Sequence, residues 1–320
     1  MEPLTTSQGN NRFSIFPIKY RDIFDAAIKQ KNCFWTFEEI EYGSDLKDWN
    51  TLDKNAQFFI KRILAFFAGA DGIVLENLLK NFTNEVEIPE VRYFYAFQGM
   101  MENEHNLTYN MLLDTFITDP KEKDEAFHAI DTIPCIGRKA DWAIKWMDPE
   151  KKSFATRLIA FAVVEGVFFS GSFCAIFWVK CVLKKMKNAL GKSNELISRD
   201  EGMHTDFAIL LYKYIVKKVP VEEVYDIFRE AVEIEKDFII DSIPCKMIGM
   251  DSEKMCQYIQ YVADRLLLQL GYPKLYNAEN PFDFMMYIAL DGKTNFFEGT
   301  VTEYQIASTK KDKISFDEDF

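Results

Sequence analysis

Two of the three histidines in this 320-residue chain stand three residues after a glutamate, in Glu102-Asn103-Glu104-His105 and Glu201-Gly202-Met203-His204. On an α-helix such a pair lies on one face, the carboxylate and the imidazole about 60° apart. The chain has 26 glutamates, so a histidine taken at random has one at that offset about 8% of the time. Two such meetings among three histidines is about a 2% event. A single pair reads as exposed helix surface. Two pairs on separate helices predict a helical bundle whose interior gathers acids and imidazoles, as a dinuclear metal site requires.

The remainder of the sequence is helical in pattern and poor in strand signals. Periodicity runs over 53–82 and again from Pro89 to about Ile117, with Pro89 suited to a first turn and Asp119-Pro120 to a stop. Shorter helices are expected at 121–132 and 138–147. Ser153 reads as the N-cap of a long apolar helix. Residues Leu158 to Val179 of that helix carry one charge, Glu165, and are numerous enough to span a bilayer. A carboxylate at mid-span, several Gly and Ser, and no second candidate span point instead to a core helix. Ser193 is expected to cap a helix reaching Val219; others cover 221–242 and Ser252 to Leu270, the last ending at Gly271 as C′. With no repeat or linker, the expectation is an irregular arm over 1–30, one helical domain over 31–300 and a flexible tail over 301–320. The fold class is all-α.

Composition bounds the function. A hydrophobic content of 48% with 29 Phe can fill a large core. The net charge of -12 disfavours nucleic acid and anionic membranes, which need clustered Lys and Arg. The six cysteines form no Cys-x-x-Cys pair and sit largely in apolar stretches, as small hydrophobes of a reducing, cytoplasmic compartment. Met1-Glu2-Pro3-Leu4 has neither a basic nor an apolar region, so no signal peptide is expected.

The two Glu-x-x-His helices fit the plan of ferritin-like carboxylate proteins, in which two further helices each give one acid. Glu165 fits, flanked by Phe161, Val164, Val167 and Phe168, where an unpaired carboxylate would be costly and a metal ligand would not. On the 53–82 helix the choice lies between Asp71 and Glu76. Small neighbours (Gly69, Ala70, Gly72) favour Asp71. The set is then Asp71, Glu102, His105, Glu165, Glu201 and His204. Four carboxylates and two imidazoles suit iron or manganese better than structural zinc. His128 follows a charged run and is expected to be a surface or half-buried residue. Tyr109 shares a face with Glu102 and His105, and Phe169 and Phe173 follow Glu165 at helical spacing; by spacing alone these three are ordinary core.

Several longer segments carry a resemblance. They include Phe34-Trp35-Thr36, Ala65-Phe66-Phe67, Ala70-Asp71-Gly72-Ile73-Val74, Phe168-Phe169-Ser170-Gly171-Ser172-Phe173, Ser198-Arg199-Asp200-Glu201-Gly202 and Gly292-Lys293-Thr294-Asn295-Phe296-Phe297-Glu298. In these the chain resembles the small, radical-generating subunit of eukaryotic-type class I ribonucleotide reductase, from about Asn11 to Phe320. The resemblance implies a ferritin-like bundle with additional helices, a homodimer, and two iron ions per chain on the same six residues. It implies that dioxygen chemistry there makes a tyrosyl radical on Tyr109, shielded by Phe169, Phe173 and Ile197. It further implies radical transfer through His105, Asp200 and Trp35, with Tyr304 near the tail. Phe316, Asp317, Asp319 and Phe320 would dock on the large catalytic subunit, where ribonucleotides are reduced to deoxyribonucleotides. Glu104 and Thr108 depart from the family, which has apolar residues there; Glu104, about 100° from His105, should point away from the site. Two rivals share the residue pattern. A di-metal oxidase or desaturase needs neither Tyr109 nor the tail, and an iron-storage protein predicts a shorter single bundle.

Overall fold

The computed structural model describes residues 3–6, 13–243 and 250–285. Among these residues there is no β-strand, and eight principal helices carry the fold. They are α1 (Arg21–Asn32), α2 (Lys54–Asn77), α3 (Pro89–Phe116), α4 (Pro134–Met147), α5 (Phe154–Cys181), α6 (Leu190–Tyr214), α7 (Val221–Ser242) and α8 (Ser252–Gln269). Short helices Pro120–Phe127 and Ala129–Thr132 break at His128, whose side chain is 61% exposed in its pairing with Asp124.

Local chemistry sets most boundaries. The Asp53 carboxylate accepts the N–H groups of Asn55 and Ala56 to start α2, Ser153 accepts from Thr156 to start α5, and Asp251 accepts from Lys254 to start α8. Pro89 and Pro134 occupy first turns. Gly271, at φ +89°, closes α8, with Tyr272 N–H donating back to Leu267 O.

Three expectations are corrected. Residues 21–32, assigned mostly to an irregular arm, form α1, because its buried Ile23, Ala27 and Gln30 pack on α3 and α6. The helix expected to start at Ser193 begins at Leu190: the Asp45 carboxylate, from far earlier in the sequence, accepts the N–H groups of Asn188, Ala189 and Leu190. Ser193 lies inside that helix, its hydroxyl donating to Leu190 O, and the helix stops at Tyr214. The 53–82 helix and the long apolar helix that starts at Ser153 are also not uniform. Leu78–Phe82 and Val164–Phe168 are π turns, the second carrying Glu165.

Helices α2, α3, α5 and α6 form the central layer, with α1 on one side and α4, α7 and α8 packed on the other. Helix α5 is the one described helix long and apolar enough to cross a membrane, and its apolar window is wholly buried within the protein. Enclosure by its neighbours satisfies that apolar surface without lipid.

Candidate metal centre

Each central helix turns acids inward at one level. Asp71 comes from α2, Glu102 and His105 from α3, Glu165 from the π turn of α5, and Glu201 and His204 from α6. All six are buried, none more than 1% exposed. Glu102, Glu165, Glu201 and His204 each present an atom so that the four lie within 4.8 Å of one another. His105 Nδ1 joins them, 3.0 Å from Glu201 Oε1 and 3.4 Å from Glu102 Oε2. His204 Nδ1 lies 3.1 Å from Glu102 Oε1 and 3.4 Å from Glu201 Oε2. Asp71 faces the group from α2, and the charges of Glu102, His105, Glu201 and His204 all act on it. Its alternative, Glu76, sits at the surface, paired with Lys80.

A dry pocket holding four acids strains their titration. Burial pushes Asp71 and Glu165 well above the usual carboxylate range, and the neighbouring Glu102 and Glu201 push further. Burial would raise Glu102 too, but the two imidazoles beside it, His204 foremost, hold it at about 2. Burial lowers both histidines; carboxylate partners more than reverse this and leave them well above the ordinary value. Both oxygens of Asp71, Glu102 Oε2, Glu165 Oε2 and Glu201 Oε1 have no hydrogen-bond partner. Buried polar atoms are otherwise almost always satisfied. Carboxyl oxygens converging with two imidazole Nδ1 atoms are the donor set of a pair of divalent ions such as iron or manganese.

The outward ring nitrogens are held by residues outside the cluster. His105 Nε2 lies 3.2 Å from Asp200 Oδ2, and His204 Nε2 lies 3.0 Å from the Gln30 amide. Such partners fix ring orientation and tautomer. The Gln30 atom at that distance is the amide nitrogen Nε2; an imidazole that binds through Nδ1 donates from Nε2, and turning the amide over would bring the unpartnered Gln30 Oε1 to accept from it. Gln98 Nε2 donates to Glu165 Oε1 at 2.9 Å and to Glu102 Oε1 at 3.3 Å. Neither glutamine was singled out by sequence. Nothing local marks Gln30, while Gln98 precedes Glu102 by one turn and so shares its face.

Tyr109 is 1% exposed, and its hydroxyl has no hydrogen-bond partner. Burial raises its pKa well above the ordinary value, with Asp71 the largest charge contribution, so the phenol is neutral. Its ring stacks on Phe67 at 4.5 Å and 6°. Phe67 in turn meets Phe169 at 5.4 Å and Phe173 at 5.0 Å, and Ile197 is buried on α6. Phe67 was not expected as a pocket residue, although it precedes Asp71 by one turn and shares its face. Trp35 Nε1 donates to Asp200 Oδ2 at 2.7 Å, and the Trp35 and His105 rings are 6.0 Å apart. Arg199 donates to Asp200 Oδ1 through Nε and Nη2. Burial alone would raise Asp200, but Arg199, His105 and Trp35 hold it below the usual range, so it is an ionised acceptor. Glu104 does point away from the centre: it accepts the Phe37 N–H at 2.9 Å. Tyr304, Phe316, Asp317, Asp319 and Phe320 lie outside the described residues.

Comparison with known proteins agrees with this architecture. The family model for the ribonucleotide reductase small chain matches residues 12–281. The sequence is 55% identical over 325 residues to the ribonucleoside-diphosphate reductase small chain of Trypanosoma brucei brucei, covering 100% of the present protein and 95% of that one. It is 48% identical over 323 residues to the ribonucleoside-diphosphate reductase subunit M2 of Homo sapiens, covering 100% and 82%. The solved ribonucleotide reductase Rnr4 homodimer of Saccharomyces cerevisiae superposes with a TM-score of 0.77 at 37% identity, covering 92% of the present protein and 90% of that one. A ferritin-like bundle with a buried carboxylate–imidazole centre and matches spanning nearly the whole sequence lead to one conclusion: the chain belongs to the ribonucleotide reductase small-chain family, a family of oxidoreductases.

Proposed function

We propose that this protein is the radical-generating small subunit, with two iron ions held by Asp71, Glu102, His105, Glu165, Glu201 and His204. Iron bound there would supply dioxygen reduction and the oxidising equivalent that takes an electron and a proton from Tyr109. The observation that carries this reading is Tyr109 itself: a buried phenol without a hydrogen-bond partner, electrostatically coupled to Asp71 and stacked on Phe67. A radical needs such dryness, because water and mobile donors would quench it. Phe169 and Phe173 pack on Phe67 beside Tyr109, and with the buried Ile197 they would shield the radical.

The remaining residues form an exit. Asp200 Oδ2 sits between Trp35 Nε1 and His105 Nε2. It can take the indole proton when an electron leaves Trp35, so charge need not build up in a low-dielectric interior. Tyr304 and the terminal Phe316, Asp317, Asp319 and Phe320 would carry the relay to, and dock on, the large catalytic subunit. A second copy of this protein would cover Met100, Leu107 and Met111, exposed apolar residues along the outer side of α3.

Tyr109→Phe tests the reading. Iron content should be unchanged, the radical signal in electron paramagnetic resonance should vanish, and nucleotide reduction with the large subunit should stop. Normal reduction by the variant would refute the assignment of Tyr109.

A further inference from the structure

Lys139 on α4 and Glu235 on α7 form an ion pair at 2.5 Å in which both side chains are at most 1% exposed. A buried pair of this kind is weak evidence for stability, since desolvating two charges offsets their attraction. Its contacts suggest another role. Lys139 Nζ donates to the Phe168 carbonyl at 2.9 Å, and Phe168 is the last residue of the π turn that presents Glu165. The same ammonium lies 3.3 Å from the Phe66 ring centroid on α2 and 4.2 Å from that of Phe238 on α7. On the partner side, a Cβ at residue 171 would lie 2.9 Å from Glu235 Oε1, so Gly171 lets the carboxylate approach the backbone of α5. Lys139 thus joins α2, α4, α5 and α7 at the point where α5 departs from regular helix.

We infer that Lys139 is a positioning residue for Glu165: by holding the Phe168 carbonyl it fixes the π turn in the register that aims Glu165 at the other acids, while an acceptor oxygen at residue 235, which glutamine would also supply, faces the same Nζ. This rests on the reading of Glu165 as a metal ligand. Regular α-geometry through 164–168 would rotate residue 165 by a sizeable part of a turn relative to the segment beyond it. An external donor at the end of the turn opposes that relaxation. Partners that orient a ligand without touching the metal typically change affinity by about 10–100-fold when removed.

The test uses the full-length protein, freed of metal and titrated with manganese(II). Affinity is read by calorimetry, and ion–ion coupling by electron paramagnetic resonance. Lys139→Met/Glu235→Leu removes the donor without stranding a charge. It should melt at or above the wild-type temperature yet bind at least one ion about ten-fold more weakly and lose the coupled two-ion signal. Glu235→Gln keeps Lys139 on the Phe168 carbonyl and should match the wild type in affinity and signal. Wild-type affinity in the double variant, its failure to fold, or an equal loss in Glu235→Gln would each overturn the inference. If the wild type itself does not bind two ions, the metal reading falls first, which separates the two failures.

Discussion

His105 and His204 each face the acids through Nδ1 and are held from behind through Nε2, by Asp200 and by Gln30. The two supports differ in chemistry. Asp200 is charged and also holds Trp35, whereas Gln30 is a neutral amide reaching in from α1. Replacing Gln30 with Leu should therefore weaken metal binding by about ten-fold and leave Trp35 and Asp200 undisturbed; metal titration with tryptophan fluorescence checks both halves. The buried Lys139–Glu235 pair makes a second prediction. Burial raises Glu235 from 4.5 to about 7 and lowers Lys139 from 10.5 to about 8. From about pH 4.5 to 7 the folded protein holds a proton on Glu235 that the unfolded protein has lost, so stability falls as pH rises. From about pH 8 to 10.5 the unfolded protein holds a proton on Lys139 that the folded protein lacks, so stability rises again. Relative to Lys139→Met/Glu235→Leu, the wild type should be least stable between about pH 7 and 8. Urea unfolding of both proteins from about pH 4.5 to 10.5 measures it, and a difference that does not change over that span would contradict it.

Among the elements, α6 is the clearest case of a boundary set from a distance. It carries Glu201 and His204, and its first turn is closed by Asp45, which is 1% exposed and lies 144 residues from Ala189. Asp45→Ala strands several N–H groups and should lower stability by about 1–2 kcal/mol, read as a lower thermal midpoint of the metal-free protein. An unchanged midpoint would mean that water replaces the carboxylate at no cost. Helix α5 shows the converse. Its apolar composition and Ser153 cap are local facts, but its π turn is not. Nothing in Val164-Glu165-Gly166-Val167-Phe168 alone demands it, and it persists where Lys139 meets the Phe168 carbonyl.

For the whole molecule, the ferritin-like bundle supplies a buried centre, and the described part of the proposed outlet, His105, Asp200 and Trp35, is buried beside it. Deleting Phe316–Phe320 should abolish association with the large subunit, leave the Tyr109 radical intact, and leave the sedimentation coefficient that of a dimer. Retained association would place docking elsewhere on the surface.

By itself the sequence determined the all-α class, the paired Glu-x-x-His faces, the apolar helix around Glu165 and most of the caps. These depend on periodicity and on neighbours within a turn or so, interactions that a linear reading contains. Only the tertiary structure decided that residues 21–32 form a helix, that α6 starts at Leu190, that Gln30 backs His204 and that Phe67 faces Tyr109. The partners involved are far apart in sequence: 174 residues separate Gln30 from His204, and 165 separate Trp35 from Asp200. Local propensity carries no information about contacts at that separation; they arise when amphipathic helices pack and bring otherwise ordinary glutamine, lysine and phenylalanine side chains onto one buried centre.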